Sequence, residues 1–479
     1  MLKANKDSYD AIIIGAGISG LVCGCYLARA GMKVLIAEQH LKPGGYCTSF
    51  KRKEFTFDAA AHSIGGLTTY GNLAKIFKEL GIDRRIKIKK YDPSNIIITP
   101  DHRVSFWTDL DATIKDFEMI FPHESHSIKN FFLFLIQPDL QSSTRMKNWT
   151  FDKLLNSYFT DRKLKAILSF PLILNGGLPP SLISAFIGAK IFKEFLLGGG
   201  YYPEGGMQAL PDALAEQFKE FGGELRLSSP VKRIKIKDHD VTGVVIENGD
   251  FIASRYIISN CDARQTFLKL LGKKILDLDF KNRINDMIPS LSAFVLYLGI
   301  DGSINNLPAA GTNIWILSNY DLDNVYLSAA KGNINDIGGY LIYIYPDKKR
   351  VLAFVSAPFK NKKFWTDNKE KFSTCFINKI EKDAIPDLTK HLTYKDAATP
   401  LTLFKFTRNY KGAAFGWACT PSQLAITDFR KPSFARGLYL TGHWTTKGLG
   451  IPGVVYVGYD TAKMIIRKEN RSLMNNIVL

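Results

Sequence analysis

Six residues near the amino end, Gly15-Ala16-Gly17-Ile18-Ser19-Gly20, follow an apolar Ile triplet and open a stretch that reads as a helix. Glycines at these spacings let the backbone approach a diphosphate, and the free amides and dipole of a helix N-terminus attract that anion. Glu38 closes the next apolar run eighteen residues past Gly20, where a carboxylate can hydrogen-bond the ribose of an adenosine, with Gln39 beside it. The alternative, a tight turn without a ligand, does not account for Glu38 at this spacing. A second match, Gly448-Leu449-Gly450-Ile451-Pro452-Gly453, is followed by only 26 residues and no suitably spaced acid, which argues against a separate nicotinamide domain. Pro452 there suits the first turn of a final helix.

Elements of alternating kind must position these groups. Residues 9 to 14 read as a buried parallel strand, 19 to 30 as a helix stopped by Gly31, and 33 to 37 as a second strand, the first half of a doubly wound α/β domain. Residues 110 to 200 turn helical and aromatic, with a Gly/Pro break at Asn175 to Pro180 and an apolar helix from Ser181 to Leu197. That helix has two readings, contact with lipid at a substrate entrance or burial in a second domain. Short β runs between Phe218 and Ile258 return to the first domain, strands near 291–300, 340–345 and 351–356 suit a mixed sheet in the second, and a strand at 438–441 precedes a helix near 453–467. The expected division is 1–110, 201–285 and 425–479 for the nucleotide-binding domain, with 111–200 the helical part and 286–424 the sheet part of the other.

At 479 residues, 46% hydrophobic and 23% charged, the chain can bury a large core and is neither a disordered nor a multi-span membrane protein. Residues 11 to 28 approach the length of a membrane span, but their four glycines and strand-like start exclude that reading. Six cysteines lie scattered without a CxxC pair, so reduced buried thiols in a reducing, cytoplasmic compartment are expected, and no metal site. The net charge of +18 favours an anionic surface, either a membrane face met peripherally or simply solvent over a lysine-rich exterior; no nucleic-acid module is recognisable.

These motifs, joined by Pro43-Gly44-Gly45, Phe57-Asp58, Tyr202-Pro203-Glu204-Gly205-Gly206-Met207, Gly412-Ala413-Ala414-Phe415-Gly416-Trp417 and Gly442, resemble the phytoene desaturase and carotenoid isomerase family, whose plan the retinol saturases share. The likeness runs in order over almost the whole chain and is least specific between residues 100 and 200. It implies an α/β fold, a glutathione-reductase-like FAD-binding Rossmann domain with an inserted α+β substrate domain. It also implies that Gly15, Gly17, Ile18, Ser19 and Gly20 meet the FAD diphosphate, Glu38 and Gln39 the ribose, Gly44 and Gly45 the second FAD motif, and Val231 the adenine. Gly442, Gly450, Ile451, Gly453 and Val454 match the flavin-proximal motif. Many relatives carry an acid after this glycine for the ribityl chain; His443 stands there instead.

The resemblance implies an FAD-dependent oxidoreductase that desaturates, isomerises or saturates double bonds of a long apolar polyisoprenoid. Flavin carries the hard chemistry, so no catalytic base is mandatory. His62 and His443 are the histidines expected nearest the flavin, each with a purely structural role as the alternative; Asp58 is expected to be structural. Phe415 and Trp417 are either substrate contacts or ordinary core aromatics. Two other functions share the fold: a flavin amine oxidase, which needs an aromatic cage, and a prenyl-binding escort without redox activity, against which the diphosphate loop and Glu38 speak.

Overall fold

Every residue of Val34–Ala37 and most of Ser8–Ile14 are buried, as in a strand covered on both faces. In the computed structural model, which describes residues 8–68, 71–137, 146, 148–304, 307–333, 335–426, 428–445 and 448–477, these strands lie at the centre of a seven-stranded sheet. Its order is Val231–Lys237, Asp240–Ile246, Phe251–Ser259, Ser8–Ile14, Val34–Ala37, Glu224–Arg226, with Leu438–Leu440 beside the far end of Phe251–Ser259. Ile12 stands opposite both Ile257 and Leu35 in parallel register, whereas the Val231–Lys237 side is antiparallel. Three distant stretches of chain thus supply one sheet. The helix Ile18–Arg29 crosses the final helix Gly450–Ile477 at Gly458, where a Cβ would lie 2.5 Å from the Ser19 carbonyl oxygen.

A second seven-stranded sheet follows the order Leu392–Ala398, Ser292–Ile300, Arg350–Ala357, Gly339–Ile344, Asn313–Leu317, Asn95–Ile98, Arg103–Phe106. All pairs are antiparallel except Asn313–Leu317 with Asn95–Ile98. Alternation along a strand sorts its side chains between faces. Ile314 and Ile316 pack with Trp365 and Phe376 of the helix Lys362–Asp383, while Trp315 and Leu317 turn toward the core shared with the first sheet. That inward face bounds the site described below.

Two expectations need correction. Residues 95–106 fall within the stretch assigned to the nucleotide-binding domain, yet their hairpin extends the second sheet, because Asn95–Ile98 finds its partner in Asn313–Ile316. The helix expected over Ser181 to Leu197 begins only at Ala185 and passes at Phe192 into a π-helical turn, Phe192–Leu197. Of its two readings the buried one holds: a Cβ on Gly188 would come within 2.3 Å of the Phe151 ring, and Ile187, Ala189, Ile191 and Phe192 are buried.

Asp58 ties the parts together. Its Oδ1 accepts from the Ser49 hydroxyl (2.6 Å) and the Met207 amide (3.0 Å), its Oδ2 from the Tyr202 hydroxyl (2.7 Å), and its amide donates to the hydroxyl of Tyr345 (3.0 Å), just past the strand Gly339–Ile344 of the second sheet. The residue is almost fully buried, and burial raises its carboxyl pKa against the pull of these donors. Asp58→Ala strands several buried donors and is expected to cost about 3 kcal/mol in equilibrium urea denaturation; a loss below about 0.5 kcal/mol would remove Asp58 from this role.

Candidate active site

The strand Ser8–Ile14 ends at Gly15, whose φ of +96° is open to glycine, and the chain turns into the helix Ile18–Arg29 at Gly17. No side chain caps this helix and no acid stands in its first turn, so its leading amides remain available to an outside acceptor. Glu38 curls back over the turn, its Oε2 accepting from the Ala16 amide (2.7 Å) and its Oε1 from the His40 amide (3.0 Å). Gly44, at φ +130°, donates its amide to the Ala16 carbonyl (2.9 Å) and bridges to Gly17.

Asn260, just past Phe251–Ser259, sits where this turn meets the carboxy-terminal one. Its Nδ2 donates to the Gly15 carbonyl (3.3 Å) and would lie 2.8 Å from a Cβ on Gly17, while its Oδ1 would lie 2.5 Å from a Cβ on Gly442. The Ser19 and Thr441 hydroxyls bond at 2.7 Å beside it. Only glycine fits at Gly17 and Gly442 with Asn260 in place.

One cavity of about 710 Å³ connects these groups, within the usual span for small-molecule sites. Gly15, Gly17, Ile18, Ser19, Glu38, Gln39, Gly44, Gly45 and Val231 line one part; Gly442, His443, Gly450, Ile451 and Val454 line it from the opposite chain end; His62 and Phe415 line it as well. Three expected contacts lie elsewhere. Gly20 sits behind the turn, where a Cβ would come within 2.3 Å of the Gly15 carbonyl oxygen, and Gly453 is buried inside the final helix. Trp417 is a core residue, edge-on to Trp444 at 4.8 Å and packed on Phe429, so only the second of its two readings fits.

The two ends of the cavity differ in chemistry. Toward Val231 it carries Lys232, Lys269, Lys405 and Arg408, a positive rim suited to a dianionic diphosphate. Against the second sheet it is lined by Leu174, Phe195, Ala293, Val295, Trp315 and Phe354. The acids on its described walls are Glu38 and Glu247, and none lies in the apolar part. Burial pushes the pKa of both His62 and His443 down to about 4, so both imidazoles are neutral at neutral pH. His443 faces the cavity between Tyr46 (6.0 Å) and Trp444 (5.7 Å). Cys47 and Cys261 also line the walls, their thiols pushed up to about 12 by burial and therefore unreactive, and all six cysteines are free.

A glycine turn with free helix amides and a carboxylate beside it, continuous with an apolar compartment, is the arrangement of a dinucleotide-dependent redox enzyme. A family model described as flavin containing amine oxidoreductase matches residues 18–319, and the chain belongs to that family; it is an FAD-dependent oxidoreductase. Among curated proteins it is 25% identical to a phytoene desaturase (neurosporene-forming) of Rhodobacter capsulatus, over 97% of this chain and 95% of that protein. It is 26% identical to the chloroplastic prolycopene isomerase of Arabidopsis thaliana (98% and 85% covered) and 23% identical to an all-trans-retinol 13,14-reductase of Danio rerio (91% and 82%). The fold is shared with an oxidoreductase from Methanosarcina mazei (TM-score 0.66, 16% identity, 95% of this chain and 99% of that one) and with a putrescine oxidase bound to putrescine (TM-score 0.63, 15% identity, 96% and 99%).

The walls fit FAD on structural grounds: uncapped amides at a glycine turn, a carboxylate beside them and a basic rim. Gly17→Val sets a side chain against Asn260 Nδ2 and over the leading amides of the helix, and is expected to lower bound flavin at least about tenfold, read from absorbance after purification. Unchanged flavin content would refute the assignment of the loop.

Proposed function

We propose that this enzyme exchanges hydride between the N5 of bound FAD and a double-bond system of a long apolar polyisoprenoid of carotenoid type. In this reading the amides around Gly15, Gly17, Ile18 and Ser19 hold the diphosphate, Glu38 and Gln39 the ribose, and Val231 the adenine. Gly44 and Gly45 flank the diphosphate, His443 takes the ribityl contact of the usual acid, and Gly450, Ile451 and Val454 present the start of the final helix to the isoalloxazine. Bound there, FAD supplies the two-electron chemistry; the chain orients the substrate and keeps water out. The nucleotide-binding domain is built on the first sheet, and the second sheet with residues 111–200 forms the substrate domain.

The apolar part of the cavity carries this proposal. Leu174, Phe195, Val295, Trp315 and Phe354 offer a hydrocarbon chain a dry surface, and among the described residues no carboxylate stands there to receive an ammonium. An amine substrate would lose hydration without a counter-charge, which disfavours amine oxidation on this fold. The relatives' names, phytoene desaturase, prolycopene isomerase and retinol reductase, point to the same class of substrate. Uptake from an anionic membrane face at the protein's periphery agrees with the net charge of +18. No helix among the described residues is long and apolar enough to cross a membrane.

The test is to express the chain in a carotenoid-producing host and separate the extracted pigments by chromatography. A changed absorption maximum and mass identifies desaturation or saturation, and a new isomer of equal mass identifies isomerisation. Unaltered pigments together with flavin reduction by an amine would overturn the proposal.

A further inference from the structure

His62 lies in the loop after Phe55–Asp58 and Asn313 opens a strand of the second sheet, yet both line the cavity, and Asn313 pairs across the sheet with Tyr343, whose ring lies 5.6 Å from the imidazole. A chain of amides fixes their arrangement. The Trp315 indole can only donate, and it gives its Nε1–H to Asn95 Oδ1 at 2.9 Å. Asn95 Nδ2 donates to Ser94 Oγ (2.9 Å) and to the Phe195 carbonyl (3.1 Å), which leaves Asn95 one orientation. Asn313 Nδ2 donates to the same Asn95 Oδ1 at 3.1 Å, so the amide oxygen of Asn313 points the other way. That oxygen is buried and receives no hydrogen bond among the described residues.

The imidazole beside it cannot satisfy every neighbour while neutral. His62 Nδ1 stands 3.3 Å from the Ala60 carbonyl oxygen, which only accepts, so the neutral ring carries its proton there and leaves a lone pair on Nε2. The single N–H of the neutral ring is therefore turned to Ala60 O and none is left for Asn313 Oδ1, whereas a second proton would give each oxygen its own donor. Burial opposes that proton and holds the free ring neutral. The rings of Tyr343 (5.6 Å) and Phe354 (5.3 Å) cover the imidazole, with Ser63 and Asn313 as its polar neighbours; the Tyr343 phenol is neutral, and no acid or base among the described residues contributes to its titration.

We propose that His62 is the proton partner of the hydride transfer and that Asn313 is the residue that positions it and receives its second N–H. This rests on the reading of the cavity as a site for FAD and a polyisoprenoid. When a double bond forms, two C–H bonds break. One hydrogen would leave with its electron pair, for which FAD bound in the cavity would be the acceptor; the other leaves as a proton to Nε2 of His62, and the electron pair it leaves behind becomes the π bond. In saturation the exchange would run backward, the His62 imidazolium returning its proton to one carbon and the other carbon taking the hydride that bound FAD, once reduced, would supply. The imidazolium donates to Ala60 O and Asn313 Oδ1 together, which offsets part of the cost of charging a buried ring. His62 is thus a catalytic residue and Asn313 a positioning residue.

The test joins kinetics to a titration that needs no turnover. In the flavin-loaded enzyme, His62→Gln is expected to lower kcat by about 100-fold or more with KM and flavin content unchanged, and Asn313→Leu to lower kcat roughly tenfold. Histidine NMR of the full chain, with and without flavin, is expected to show the His62 midpoint rising from about 4 by at least about one pH unit in Asn313→Asp. The acid limb of the kcat profile should rise by the same amount. A flavin-loaded His62→Gln enzyme with full kcat, or an Asn313→Asp chain whose His62 midpoint does not move, overturns the inference while the proposed function stands. A chain that binds no flavin or alters no pigment defeats the proposed function, and the inference with it.

Discussion

The side chain of Asn260 is the wedge on which the site depends. It reaches the Gly15 carbonyl with its amide nitrogen and presses toward Gly442 with its oxygen, so the turn that opens the chain and the turn near its end are held at one separation. Phe251–Ser259, the strand that delivers Asn260, pairs with Ser8–Ile14 on one side and Leu438–Leu440 on the other; Gly15 directly follows the first of these and Gly442 stands two residues past the second. A ligand that spans the two turns therefore meets a preset distance. Rigid placement of this kind is what a redox cofactor asks of its protein, since the cofactor brings the reactivity and the scaffold supplies position.

The second sheet sets the complementary condition. Its inward face closes the cavity with Val295, Trp315 and Phe354 and brings no carboxylate to the described walls, while the fully bonded amide of Asn95 orders the few polar groups present. In such surroundings ionisable groups stay neutral, as both cavity histidines do. Charge can appear there only as part of the reaction. The two sheets thus divide the work: the first offers aligned dipoles and cations to an anionic cofactor, the second a dry apolar wall to a substrate with little charge of its own.

The part of this arrangement that local sequence determines could be read in advance. Gly15, Gly17 and Glu38 announce themselves because turn, helix start and strand end fall within one short unit, and His443 is found by its place after Gly442. Asn260 and Asn313 carry no such mark. Their roles arise from pairing between strands hundreds of residues apart, Asn260 wedged against Gly15 and Gly442, and Asn313 oriented through Asn95. The hairpin at 95–106 would bury its Ile96 and Ile97 equally well in either sheet, so its sequence does not say which one it extends. Trp417 differs from Phe415 by two positions and opposite placement, a distinction set by Trp444 packing against it and not by its own neighbours in the chain.

The central claim, a flavin dinucleotide held between two glycine turns at a distance fixed by Asn260, is tested most directly by the visible spectrum and cofactor stoichiometry of the purified chain. The account predicts a yellow protein, as isolated or after incubation with FAD, that releases about one intact FAD per chain on denaturation. A folded chain that remains colourless in excess FAD would contradict it.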